Sequence, residues 1–239
     1  MRGGIALEGF GVEYPDFTLG PLDLSVEPGE RVALVGSNGA GKSTTMRALS
    51  GRFVDYHGRV RVGGEEVRDR LPGIRARIGL LPERLAAFGW MTVAEHLSLL
   101  EAVHPRWDAS YGETLRGRLD LPASARVGTL SRGMKIKLSF IAAEAFRPPL
   151  LLLDEPTAGL DPAMRMQVLD LIREATPPGA GRVVVFSSHL MEDVQALADR
   201  VLVLRDGALV GDVSVEGEVG GPGAAAVTAE LLRLMHGRG

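Results

Sequence analysis

An α/β fold is predicted by three features of the 239-residue sequence. An apolar run, "RVALV" (31–35), feeds a Gly-rich loop, "GSNGAGKST" (36–44), that opens onto a helix start. A second run, "PLLLLDEP" (149–156), reads as a strand buried on both faces and ends in two acids. From residue 87 to 147, between these two strand-rich parts, the apolar period becomes helical.

The elements follow in order. Ile5 and Leu7, then Leu22, Leu24 and Val26, mark strands of a half-buried sheet with a turn at Pro28-Gly29. Arg31 to Val35 is a short buried strand, and Lys42 to Leu49 is a helix. Val60 and Val62 continue the strand signal to the Gly63-Gly64 turn, and "IGLLPE" (78–83) is another strand end. Arg68, Arg70, Arg75 and Arg77 read as a solvated face. Thr92 with Glu95 makes a capping-box pattern, followed by helical spacing through Val103. Further helices are expected after Asp108 and after Ser131. Asp161-Pro162 opens another, with Asp as N-cap and Pro in the first turn. "RVVVFSSH" and "RVLVLRDG" are strands, the second turning at Asp206-Gly207. "GEVGGPGAAA" (217–226) reads as a linker, and the tail from Thr228 as one short helix.

The loop carries the chemistry. Lysine is rare, present only as Lys42, Lys135 and Lys137, so its place in a G-x-x-x-x-G-K-[ST] pattern is informative. Gly36, Ser37, Asn38, Gly39, Ala40, Gly41, Lys42, Ser43 and Thr44 form a phosphate-binding P-loop, in which successive N–H groups and a helix N-terminus face an anion. Lys42 would reach the β- and γ-phosphates, and the Ser43 hydroxyl would bind Mg²⁺. Asp154 and Glu155, at the carboxyl end of a strand, suit Mg²⁺ binding and water activation respectively.

Bulk properties bound the rest. A formal charge of −3 argues against a polyanion-binding surface. The absence of cysteine excludes disulfides and thiolate chemistry and fits a cytosolic protein. Glu8 interrupts any signal-peptide core, and no stretch approaches eighteen apolar residues. A role at a membrane therefore needs another chain to hold this one there.

With these motifs in place, residues 4–215 resemble the ATP-binding subunits of ABC transporters. The discriminating stretch is "TLSRGMKIKL" (129–138), which resembles that family's signature sequence at the head of a helix. The resemblance implies a P-loop NTPase (RecA-like) core with an N-terminal antiparallel β subdomain and an inserted α-helical subdomain. It divides the chain into an ATPase domain over 1–216, with core 1–86 and 148–216, helical part 87–147, and a linker and short tail over 217–239. It assigns Ser131 and Gly133 to the γ-phosphate of an ATP bound by the opposite subunit. Tyr14 resembles the aromatic that stacks on adenine, Asp161 of "AGLD" the loop linking the two nucleotide sites, and His189 the switch histidine at the γ-phosphate. Glu155 becomes the general base, and ATP and Mg²⁺ the ligands, with Ser43, Glu83 and Asp154 toward the metal.

Two departures stand out. Glu83 sits where the family often has Gln, and Arg132 and Met134 replace the commoner Gly and Gln of the signature. Both resemble the branch whose ATPase is a separate chain serving a separate membrane subunit, often in drug, peptide or lipid export. The implied partners are a polytopic membrane subunit docking near 83–95 and a second ATPase copy forming a homodimer, with no nucleic acid. The implied location is cytoplasmic, peripheral on the inner face of the cell membrane. Phe88, Trp90 and Met91 are candidate anchors for the membrane partner, or else pack inside the helical part. The alternative is a soluble ATPase of the same superfamily acting on ribosomes or DNA. A P-loop kinase or GTPase would leave the signature helix unexplained.

Overall fold

The computed structural model describes residues 4–53, 55–69, 71–177, 179–215 and 224–236. Two sheets share the molecule. The first is antiparallel, in the order β2-β1-β4-β5, built from β1 (Ile5–Tyr14), β2 (Phe17–Val26), β4 (His57–Val62) and β5 (Glu65–Glu66). The second has the order β10-β9-β3-β8-β7-β6, from β3 (Arg31–Val35), β6 (Ile78–Leu81), β7 (Leu150–Asp154), β8 (Val183–Ser187), β9 (Arg200–Arg205) and β10 (Ala208–Ser214). All neighbours in it are parallel except β10, which runs back along β9.

Alternation along β7 explains its unbroken apolar run. Leu150 and Leu152 point into a core shared with the antiparallel sheet, where Phe10, Leu22 and Met46 meet them. Leu151 and Leu153 point the other way, toward Phe140, Leu169 and Phe186. A central parallel strand covered on both faces has no solvent side, so no polar alternation is visible.

The helices are α1 (Lys42–Leu49), α2 (Leu71–Arg75), α3 (Val93–Val103), α4 (Ala109–Arg118), α5 (Arg132–Glu144), α6 (Pro162–Ala175), α7 (Met191–Leu197) and α8 (Ala224–His236). Capping chemistry sets their starts. Thr92 Oγ1 accepts from the Glu95 amide while the Glu95 carboxylate accepts from the Thr92 amide, so the capping box is reciprocal. Asp108, Ser131 and Asp161 cap α4, α5 and α6 in the same one-sided way. The helical insertion shares the second core rather than forming its own, since Leu97, Leu115, Leu121 and Phe140 pack in one cluster with β7 and β8.

Several features depart from the sequence reading. The tail helix begins earlier, at Ala224 rather than Thr228, and residues 217–223 of the expected linker lie outside the described residues. This helix docks on the body. Leu231 is buried in the second core, Gln195 Nε2 donates to Thr228 Oγ1 at 2.6 Å, and Arg205 donates to the Leu234 carbonyl at 2.8 Å. The expected solvated arginine face also has structural ties. Arg68 lies over the Tyr56 ring at 3.8 Å, Arg75 holds the Gly51 carbonyl at 2.5 Å and Arg77 pairs with Glu65 at 3.2 Å. Arg70 lies outside the described residues. The short elements β5, α2, α7 and β10 were not anticipated.

Candidate active site

The parallel strands β3, β6, β7 and β8 deliver their following loops to one edge of the sheet, where ligands collect in such folds. The register aligns them closely. Leu34 of β3 lies opposite Ser187 of β8, and Ser187 lies opposite Asp154 of β7. A cleft of about 660 Å³ opens there, lined by Phe17, Lys42, Ser43, Glu83, Glu155 and His189 among others.

The loop from Gly36 to Thr44 forms the floor of the cleft through Asn38, Gly39, Gly41, Lys42, Ser43 and Thr44. Glycine is required at two places. Gly36 has φ 155°, and a Cβ there would stand 2.2 Å from the Leu204 carbonyl oxygen. Gly41 caps α1 at φ 106° without a side-chain bond, and a Cβ would meet Leu19 Cδ1 at 2.4 Å. The first turn of α1 carries no acid, so its partial positive charge stays available to an anion. Lys42 is buried, and its ammonium donates to the Gly36 carbonyl at 2.8 Å and the Ser37 carbonyl at 3.0 Å. Burial pulls its pKa below the ordinary lysine value, opposed by the charges of Glu155 and Asp154.

The two acids after β7 differ in setting. Asp154 accepts from Ser187 Oγ at 2.7 Å, and the same oxygen accepts from the Glu155 amide at 2.9 Å. That amide bond supports Glu155 at φ 51°, a left-handed conformation unusual for a non-glycine residue. Its carboxylate sits 2.8 Å from His189 Nδ1, which donates when it carries the proton. The His189 ring is half exposed while the Glu155 side chain is mostly shielded. A mostly shielded carboxylate beside a phosphate loop, with an imidazole oriented by it, can accept a proton from water.

Ser43, Glu83 and Asp154 line an adjoining cleft of about 400 Å³. A hydroxyl and two carboxylates are hard oxygen donors of the kind Mg²⁺ prefers. Among the described residues no group of three or more His, Cys, Asp or Glu side chains could hold a metal alone. The donor set therefore fits a cation that completes its shell with phosphate oxygens and water.

Other expected residues lie outside the main cleft. Ser131 caps α5, accepting from the Met134 amide at 3.2 Å, and is exposed. Gly133 is buried against α6, where a Cβ would stand 3.0 Å from Met164 Cγ. Asp161 caps α6 by accepting from the Met164 amide at 3.0 Å. Tyr14 stacks on Phe17 and on Phe53, with 6.4 Å between centroids in each case. Phe17, missed in the sequence, is the aromatic that lines the cleft, and Tyr14 is not among its lining residues. Its place at the start of the strand paired with β1, next to Tyr14 in register, is the signal that could have found it.

A groove of about 490 Å³ runs between Pro82 to Arg84 and the start of α5, also touching Gly89, Gly128, Lys135 and Ile136. Beside it, Phe88 and Trp90 are 56% and 67% exposed, with ring centroids 5.8 Å apart. Phe88 and Trp90 therefore do not pack inside the helical part, while Met91 is half-buried.

Comparison with known proteins gives concordant matches. The family model described as ABC transporter matches residues 19–158. The linearmycin resistance ATP-binding protein LnrL of Bacillus subtilis is 30% identical over 197 residues, covering 79% of this chain and 62% of that protein. The chain thus spans less than two thirds of that relative's length. The Nod factor export ATP-binding protein I of Burkholderia orbicola is 33% identical over 230 residues, 88% of this chain and 74% of that protein. A solved structure titled as the ATP binding subunit of an ABC transporter superposes with TM-score 0.81 at 26% identity, over 95% of this chain and 99% of that one.

Proposed function

The chain belongs to the ABC transporter family, and on that premise we propose that it binds and hydrolyses ATP to power export through a separate membrane subunit. The observation that carries the reading is the Glu155–His189 pair, 2.8 Å apart at the mouth of the phosphate loop. The loop amides and the α1 N-terminus hold the β- and γ-phosphates, and Lys42 turns from its carbonyl partners to the phosphate oxygens. Glu155 takes a proton from the attacking water, while His189 orients water and γ-phosphate. Ser43, Glu83 and Asp154 would hold Mg²⁺, which would supply neutralisation of phosphate charge.

Ser131 and Gly133 complete the site of a second copy across a head-to-tail homodimer. The exposure of Ser131 outside its own chain's cleft supports this, as does the helix N-terminus it caps. In this arrangement Asp161 lies in the loop between the two sites, and Tyr14 and Phe17 supply the aromatic surface for adenine. The membrane subunit docks near 83–95, a placement supported by the groove and the Phe88–Trp90 pair. Among the described residues no helix is long and apolar enough to cross a membrane, so in this reading the chain is peripheral, on the cytoplasmic face. Mg²⁺-dependent ATP hydrolysis by the purified chain, and copurification from membranes with a polytopic protein, test the reading. Retention on ribosomes or DNA with no membrane partner would overturn the transport assignment.

A further inference from the structure

We propose that Asp193 is a positioning residue for hydrolysis, a buried anion that sets where His189 stands relative to Glu155. The inference rests on the catalytic reading given above for those two residues. Asp193, in the first turn of α7, is 1% exposed. A carboxylate so deep in the fold is costly unless donors surround it. Three do, from three different segments. Thr157 Oγ1 donates to its Oδ2, Ser188 Oγ donates to the same oxygen at 3.0 Å, and Arg165 Nε donates to Oδ1 at 2.6 Å.

The placement of those donors gives the carboxylate its role. Thr157 follows Glu155 in the turn after β7, and Ser188 immediately precedes His189 in the turn after β8. Arg165 stands in the first turns of α6, the helix capped by Asp161, and also pairs with Glu192. One side chain therefore ties the turn bearing Glu155 to the turn bearing His189 and to α6. The Ser188 hydroxyl extends the tie, since it accepts from the Leu190 amide at 3.0 Å and so bridges the backbone around His189. On the strand side of the same pair, Ser187 Oγ joins Asp154 and the Glu155 amide. The two catalytic side chains thus hang between a serine clamp and an aspartate clamp. The 2.8 Å contact between them is the product of both. A catalytic pair needs such a supporting shell, because small misplacements cost far more in rate than in binding.

Asp193→Asn tests this with little change in volume. The amide removes the charge that holds the Arg165 guanidinium, and its N–H groups reverse the hydrogen bonds with the Thr157 and Ser188 hydroxyls, which can accept as well as donate, so the clamp loosens. In the purified full chain, kcat should fall about tenfold to a hundredfold. KM for ATP and the affinity for a fluorescent ADP analogue should stay within about threefold, because the phosphate loop is untouched. Thr157→Val, which leaves the carboxylate two donors, should show a smaller loss of the same kind if the Asn variant folds poorly. The decisive readout is coupling. In a His189→Ala background, single-turnover hydrolysis of radiolabelled ATP should be nearly insensitive to Asp193→Asn, since the residue acts through His189. An undiminished kcat in both the Asn and Val variants overturns the proposal, as does an equal fold-loss with and without His189. Parallel assays of Glu155→Gln and His189→Ala alone separate the two failures: if both retain wild-type turnover, it is the catalytic reading that has failed.

Discussion

Glu155 and Glu83 make the sharpest single-residue cases. Glu155→Gln removes the proposed base while leaving the loop amides and Lys42 in place, so turnover should drop by roughly two to four decades with ATP binding intact. Hydrolysis near the wild-type rate, measured by phosphate release, would remove Glu155 from that role. Glu83 lines both the main cleft and the adjoining one with Ser43 and Asp154. Glu83→Gln keeps an oxygen donor at the same reach and should keep activity, whereas Glu83→Ala should weaken the Mg²⁺ dependence of the rate. The loop and the paired acids could be read in the sequence because their chemistry is tied to short spacings, whereas His189 was reached only through the family resemblance. Phe17, Ser187, Ser188 and Asp193 could not be read there. Their roles come from a β-register and from contacts between turns far apart in the chain, and neither leaves a local pattern.

Elements with their own start signals were legible, and those defined by packing were not. Thr92, Asp108, Ser131 and Asp161 announced α3 to α6, because a cap needs a polar side chain before an apolar period. α7 starts at a Leu190 cap with no side-chain bond, and β10 alternates weakly as an edge strand, so both passed unseen. One contact between elements carries a stability prediction. Arg182, just before β8, donates to both oxygens of Glu144 near the end of α5, at 2.9 and 2.6 Å, and to the carbonyls of Pro148 and Ala175. Glu144 is 1% exposed, so Arg182→Met strands a buried carboxylate and should cost about 3–5 kcal/mol in urea unfolding. Adding Glu144→Leu should recover much of that loss. A double variant no more stable than the single one would show that the pair is not the source.

At the scale of the whole molecule, the proposed head-to-tail homodimer makes a prediction no single site can. A Lys42→Ala chain spoils every phosphate loop, and a Ser131→Arg chain spoils every signature helix by replacing its cap with a bulky cation. Mixed, the two chains form one doubly defective site and one intact site. In a Glu155→Gln background, where bound ATP persists, mixing should restore ATP-driven dimers on sizing, provided subunit exchange is shown and the unmutated control dimerises. No gain on mixing would mean that each chain builds its site from its own residues. The overall α/β architecture was legible because each sheet strand is either alternating or wholly apolar. The docking of α8 was not, since a Gly/Ala stretch before it read as a linker while Leu231 contacts the core from beyond it.

Lys42 has a meaning for the resting protein as well. With its ammonium seated on the Gly36 and Ser37 carbonyls, the loop is cross-braced by its own cation. In the proposed reaction a triphosphate would meet a lysine already stripped of much of its water, so loading would be a swap of oxygen partners. A departing diphosphate would hand the cation back to the same seat. In the proposed reaction the loop would work as a two-position latch, with the cation already in place at the start of each cycle.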